Sequence, residues 1–172
     1  MNSRGGFSLV ETLIYVAILA AVSIFIVNSI LMITKSFNNY RAWRNVNAAG
    51  EAAMERMVRE IKLADSINMG TSVFDSNPGH LALNTIDPDT EAATTIEFYV
   101  SGNALMIKEG VQSGAVLTPS GVELMNLIFR EVATSTDTKS KAIRIEMEIR
   151  SGTGNYQKTA RFYDTAILRR SY

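Results

Sequence analysis

A long stretch without charges near the amino terminus is the feature that most constrains this chain. Between Glu11 and Lys35 lie 23 uncharged residues, and thirteen of them are Leu, Ile, Val or Phe. A helix of about 20 apolar residues is long enough to cross the hydrocarbon core of a bilayer. At about −0.3 to −0.6 kcal/mol each, these thirteen side chains favour insertion by roughly 4–8 kcal/mol. The sequence therefore predicts a membrane-spanning helix, since the core helix of a soluble protein would show a polar face.

The composition excludes several classes of chemistry. The 172 residues include no cysteine and one histidine, His80. Disulfides, thiolate metal sites and cysteine nucleophiles are excluded, as are metal sites built from several histidines. Seventeen basic and seventeen acidic side chains leave no net charge, so no general attraction to nucleic acid or anionic lipid is expected. We expect no catalytic residue, no metal and no cofactor, and we interpret the protein as not an enzyme.

The helix is predicted to continue beyond the apolar stretch. No proline occurs before Pro78, and apolar residues recur at three- and four-residue steps in residues 45–64. This spacing is typical of an amphipathic helix that packs one face on a core. The stripe consists of Val46, Ala49, Ala53, Met57, Ile61 and Ala64, widened by Met54 and Val58. Gly50 weakens this helix by about 1 kcal/mol relative to alanine.

Turn residues and alternating segments after residue 68 indicate β-structure. The most regular segment is 142–150, where Ile and Met alternate with Arg and Glu. We expect its apolar face to pack against the helix stripe, and we expect residues 158–168 to be its antiparallel partner. Further strands are predicted at 81–83, 94–100, 104–108, 116–117 and 122–132, the second and third forming a hairpin. Because one long helix precedes mostly strands, the predicted fold is α+β.

The segment Gly5-Gly6-Phe7-Ser8-Leu9-Val10-Glu11-Thr12-Leu13 resembles the class III signal of type IV prepilins and type II secretion pseudopilins. In that family a membrane aspartyl peptidase, prepilin peptidase, cuts after the glycine and N-methylates the new amino terminus. The resemblance implies cleavage between Gly6 and Phe7, a methyl group on Phe7, and Glu11 as the acidic residue four positions later. An ordinary signal peptide fits less well, because the apolar run is too long and no small-x-small site follows it.

The resemblance also implies a domain division and a location. The leader peptide would be 1–6, the transmembrane half of the helix 7–34, its soluble amphipathic half 35–66, and an antiparallel β-rich pilin-like domain 67–172. The chain would cross the bacterial cytoplasmic (inner) membrane once, contacting lipid through residues 7–34, with its soluble domain on the outer, periplasmic or extracytoplasmic face. Lys35, Arg41 and Arg44 oppose this orientation by the positive-inside tendency, but they are few and the following domain is long.

Glu11 has two interpretations. As a carboxylate in the first helical turn, it would be stabilised by the helix dipole by about 0.3–1 kcal/mol. Alternatively it serves assembly: an unpaired carboxylate at membrane depth is costly, and the amino terminus of Phe7 in a neighbouring subunit would neutralise it. The resemblance favours the second interpretation, with other pilin-like subunits as the partners.

The rest of the chain is similar to the minor pseudopilin J and minor pilin W group, in its long helix, its strand-rich middle and its end at Ile167-Leu168-Arg169-Arg170. The absence of a cysteine pair, and Asn28 where many major pilins have a helix-kinking proline, fit a minor subunit or a pseudopilin better than a major adhesive pilin. The resemblance thus implies a structural subunit of a type II secretion, type IV pilus or competence filament.

A membrane-anchored tip adhesin or a DNA-binding minor pilin is the alternative. Arginines and aromatic residues that would contact single-stranded DNA interleave near the carboxyl end: Arg161, Phe162, Tyr163, Arg169, Arg170 and Tyr172. Calcium is a weaker candidate at Asp87, Asp89 and Glu91, which lack the EF-hand pattern. His80 follows Pro78-Gly79 in a predicted loop, where a surface histidine is expected rather than a catalytic base.

Overall fold

The computed structural model describes residues 8–87, 90–133 and 141–168. The chain divides into two compact units, Met1–Asn38 and Asn39–Tyr172. One helix, α1 (Leu9–Leu63), supplies the described part of the first unit and the beginning of the second. Antiparallel strands follow it in the second unit. The fold is α+β and agrees with the pilin-like architecture predicted from the sequence.

The first unit is an apolar helix whose side chains are exposed. Among the described residues, α1 is the one helix long and apolar enough to cross a membrane, and its most apolar window has a mean hydropathy of 2.7 with none of it buried. The hydroxyls of Ser23, Ser29 and Thr34 donate to backbone carbonyls four residues earlier, at 2.8, 2.9 and 3.0 Å. These polar groups therefore have partners within the helix, which a bilayer interior requires.

The second unit contains two antiparallel sheets. The first sheet runs in chain order through β1 (Ser66–Ile67), β2 (Leu81–Ile86), β3 (Ala93–Ser101), β4 (Ala104–Glu109) and β5 (Ala115–Val116). The second consists of β6 (Val122–Ala133), β7 (Lys141–Ser151) and β8 (Lys158–Ile167), with β7 in the centre. A short 3₁₀ helix, Gly154–Tyr156, lies between β7 and β8. The β3–β4 hairpin and the β7–β8 pair confirm the corresponding predictions, whereas β2 is longer than predicted.

The core joins the helix stripe to both sheets. Val46, Ala49, Ala53, Met57 and Ile61 are each at most 4 % exposed. They belong to one apolar cluster with the inner face of β7, whose members are Ile143, Ile145, Met147 and Ile149. The predicted packing of stripe and strand into one core is therefore confirmed. The outer face of β7 instead carries charged side chains, which pair across the sheet, as Arg150 does with Glu123 on β6.

At Gly50 the helix backbone lies in close contact with a side chain of β8. A Cβ atom at Gly50 would overlap the ring of Phe162 on β8. Phe162 is half-buried and packs against the same core. The glycine that weakens the helix therefore also provides the space into which the aromatic ring packs.

Replacing Gly50 with alanine is expected to destabilise the protein by about 1–3 kcal/mol. The added methyl group forces the Phe162 ring to move, and overpacking of this kind exceeds the gain in helix propensity of about 1 kcal/mol. Thermal unfolding of the purified protein measures the effect. Gly50→Ala combined with Phe162→Leu should recover part of the lost stability, whereas a stabilised Gly50→Ala protein would contradict the contact.

One edge of the second sheet, formed by β6, is bonded to a loop. Residues 73–80 cover the middle of the outer edge of β6, at Leu127 and Phe129. The carbonyls of Phe129 and Leu127 accept hydrogen bonds from the N–H groups of Asp75 and Gly79 at 2.9 and 2.8 Å. The Leu127 N–H donates to the Asn77 side chain at 3.0 Å. This loop occupies the edge that another strand would otherwise use.

Candidate processing and assembly site

The amino-terminal end of α1 carries the candidate site. Ser8 precedes the first helical residue, and its hydroxyl accepts a hydrogen bond from the N–H of Glu11 at 3.2 Å. The Ser8 carbonyl accepts the N–H of Thr12 at the same distance. Ser8 is therefore the N-cap, with Glu11 at the third helical position, as in the first half of a capping box. Gly6 and Phe7, the predicted cleavage residues, lie outside the described residues.

The side chain of Glu11 contacts its own helix. The Tyr15 hydroxyl, four residues later on the same face, donates to the Glu11 carboxylate at 3.4 Å. Among the residues that the structure describes, no basic side chain forms an ion pair with Glu11. The carboxylate is exposed and is stabilised by the helix start. The arrangement leaves it accessible to a cation from another chain.

Sequence reasoning missed both Ser8 and Tyr15. The serine three residues before a glutamate is the signature of a capping box, and it was present in the motif. Tyr15 lies at the i,i+4 spacing that brings side chains together on a helix. These two spacings could have identified the neighbours of Glu11 without a structure.

The candidate calcium and histidine positions form no recognisable site. In the described ranges no group of three or more His, Cys, Asp or Glu side chains is placed to hold a metal ion. The Asp87 side chain accepts the N–H of Thr90 at 3.2 Å in a turn, and Asp89 lies outside the described residues. His80 lies 3.3 Å from the Glu97 carboxylate and edge-on to Tyr99.

The candidate DNA-contacting residues on β8 do not share a surface. Phe162 packs against the core, whereas Arg161 and Tyr163 are exposed. Arg161 pairs with Glu148 at 2.6 Å, and this hydrogen bond raises the pKa of the guanidinium. Tyr163 lies beside Arg144, 5.8 Å from the guanidinium carbon to the ring centre. Arg169, Arg170 and Tyr172 lie outside the described residues.

Comparison with known proteins points to the same end of the chain. A search of curated proteins and a search of solved structures each found no match. A family model described as the prokaryotic N-terminal methylation motif matches residues 1–27. The match covers Gly6, Phe7 and Glu11, together with Ser8, Tyr15 and the first part of the apolar helix. The chain therefore carries the N-terminal methylation motif of prepilin-type proteins on a capped apolar helix.

Proposed function

We propose that the protein is a minor pseudopilin or pilin-like structural subunit of a type II secretion, type IV pilus or competence filament. The observation that carries the proposal is the N-terminal methylation motif at residues 1–27, which supports a subunit of type IV pilin or pseudopilin type processed by prepilin peptidase. The α+β fold, with its amphipathic helix segment packed on antiparallel strands, agrees with this function. The proposal that it is a minor rather than a major subunit rests on the resemblance of the sequence to the minor pseudopilin J and minor pilin W group.

The apolar part of α1 would anchor the subunit in the bacterial inner membrane. Its exposed Leu, Ile, Val and Phe side chains suit lipid or the apolar helices of neighbouring subunits. The hydroxyls of Ser23, Ser29 and Thr34 donate hydrogen bonds within the helix. These polar groups therefore add little to the free-energy cost of insertion. The unit Asn39–Tyr172 would lie on the extracytoplasmic face and make the remaining contacts with other subunits.

Glu11 would determine how far one subunit is shifted along the filament axis relative to its neighbour. Its carboxylate is exposed and already oriented by Tyr15. Prepilin peptidase would create a new amino terminus on Phe7, and that cation would pair with Glu11 of an adjacent chain. In a low-dielectric environment such a pair forms only when the two groups are aligned, which selects one axial register.

Processing between Gly6 and Phe7 is the first test. Intact-mass analysis of membrane-extracted protein should show loss of residues 1–6 and one added methyl group on Phe7. Gly6→Leu should leave full-length precursor in the membrane, because a side chain next to the scissile bond obstructs the peptidase. Gly5→Leu is the matched control, one residue further from the bond, and should be processed. A mature chain that begins at Met1, or that is cut near Ala21, would contradict the proposal.

A further inference from the structure

The outer edge of β8 is the long sheet edge that the described chain leaves without a neighbouring strand. The N–H of Leu168 donates to the carbonyl of Lys141 at 3.0 Å. Together with the register of β7 and β8, this bond shows which residues of β8 direct their backbone groups toward β7. In antiparallel pairs, alternate residues bond to the partner strand and the others point their backbone groups away from it. The outward backbone groups of β8 therefore belong to Thr159, Arg161, Tyr163, Thr165 and Ile167.

The side chains at these outward positions are exposed throughout. Within the ranges that the structure describes, the outward backbone groups of β8 make one hydrogen bond, from the Thr165 N–H to the carboxylate of its neighbour Asp164 at 2.7 Å. On the β6 edge of the same sheet, residues 73–80 bond to Leu127 and Phe129, and the Asn103 carbonyl accepts the N–H of Leu124. The strands at the two edges of the first sheet are β1 and β5, with two residues each. The β8 edge is thus the one that offers a ladder long enough for another strand.

A groove of about 790 Å³ lies directly beside this edge, between β8 and the helix. Its apolar lining comes from Met54, Val58, Leu63 and Phe162. Its charged lining comes from the helix, with Glu51 and Glu55 first and Arg59 and Lys62 in the following turns, and from Asp164 on β8. The helix wall of the groove therefore carries its acidic side chains before its basic ones.

We propose that β8 and this groove bind an extended segment of another pilin-like subunit as an added strand. The proposal rests on the function proposed above and names the contact by which a partner subunit is held. Main-chain hydrogen bonds to Thr159, Arg161, Tyr163 and Ile167 supply the pairing, and every second side chain of the added strand enters the groove.

The charges of the groove specify the ends of that strand. A basic side chain of the partner lies against Glu51 and Glu55, and an acidic one lies against Arg59 and Lys62. This order sets the direction in which the strand binds, because the reversed strand would place like charges together. A single-stranded nucleic acid or an anionic lipid surface carries one sign of charge and offers no such match.

Photo-crosslinking of the full chain in host membranes tests the contact. Benzoylphenylalanine replaces Leu63, an exposed residue of the groove lining. The crosslinked peptide, identified by mass spectrometry, should come from a different chain that carries its own N-terminal methylation motif. Tyr163→Pro removes one outward N–H without removing a bond to β7, and it should lower the crosslink yield about tenfold.

Tyr163→Ala retains the backbone N–H and removes a ring that lies beside Arg144, although Tyr163 also lines the groove. Thr159→Ala, at an outward position outside the groove lining, is therefore the matched control for the proline variants. We expect it to lower the yield less than threefold. Thr159→Pro repeats the test at another outward position. If Tyr163→Pro becomes sensitive to limited proteolysis, which indicates that it is misfolded, the result for Thr159→Pro decides the outcome. Equal losses for the proline and alanine variants, a crosslink to lipid, or a crosslinked pair of identical chains would each overturn the proposal.

Co-purification from the same cells separates this proposal from the proposed function. If other pilin-like subunits co-purify and no crosslink forms at position 63, the strand contact is wrong and the function stands. If no pilin-like subunit co-purifies, both are wrong. A crosslink that the proline variants abolish while the membrane level of the chain stays unchanged supports both.

Discussion

Replacing Met57 with aspartate is expected to lower the stability of the Asn39–Tyr172 unit by about 4–6 kcal/mol, a large part of its total. Met57 is fully buried in the cluster that joins α1 to both sheets. The substitution loses the burial of a large side chain and places a carboxylate where no partner is available. Domains of this size have a total stability of about 5–15 kcal/mol. Thermal unfolding of the purified chain in detergent should show a melting transition lowered by well over ten degrees, or none.

Two variants separate burial from other effects of the Met57 substitution. Met57→Leu conserves volume and should cost less than about 1.5 kcal/mol. Ala52→Asp places the same carboxylate on the exposed side of the same helix and should cost only its helix propensity, about 0.7 kcal/mol. If Met57→Asp melts within a few degrees of Ala52→Asp, position 57 is not in the core of the folded protein.

Glu11→Val should leave membrane insertion and folding of the Asn39–Tyr172 unit intact and abolish association with other pilin-like subunits. Valine removes a charge from the membrane edge, so insertion is at least as favourable. In the proposed ion pair it would also leave the amino terminus of the neighbouring Phe7 without a partner. Losing one member of a buried ion pair costs about 3–5 kcal/mol, which weakens a subunit contact by roughly two to four orders of magnitude.

Glu11→Gln distinguishes a role of the Glu11 charge in pairing with another subunit from a role of its side chain at the start of the helix. Glutamine can accept the Tyr15 hydroxyl and can replace glutamate in a capping box, so a role confined to the helix start predicts a silent variant. The ion-pair role predicts that glutamine fails like valine. Cysteine crosslinking between this chain and its partners, at equal expression, measures the difference. Wild-type crosslinking in both variants would leave Glu11 without an assembly role.

The parts of the fold that follow from local periodicity could be predicted from the sequence. The helix stripe around Met57 and the alternation in β7 each repeat over enough residues to show which face is buried. The β3–β4 hairpin is indicated by its Gly-Asn turn. The methylation motif is equally local, so the candidate site could be located from nine consecutive residues.

The features that depend on distant parts of the chain could not be predicted in the same way. Gly50 is a weak helix residue in the sequence, and only the approach of Phe162, more than a hundred residues later, explains its position. The cover of β6 by residues 73–80 pairs a polar loop with a strand fifty residues away. Such contacts leave no periodic pattern, because each is made by one or two residues at each end.

The closed β6 edge has a consequence for stoichiometry. A sheet that is open at both edges can be extended in two directions, and such extension propagates without limit in fibrous aggregates. In the described part of this chain, residues 73–80 occupy one edge of the second sheet and β8 presents the other. If β8 binds a partner strand as proposed above, the second sheet would gain one strand from one neighbour. The added ladder would then end within the fold of the accepting subunit.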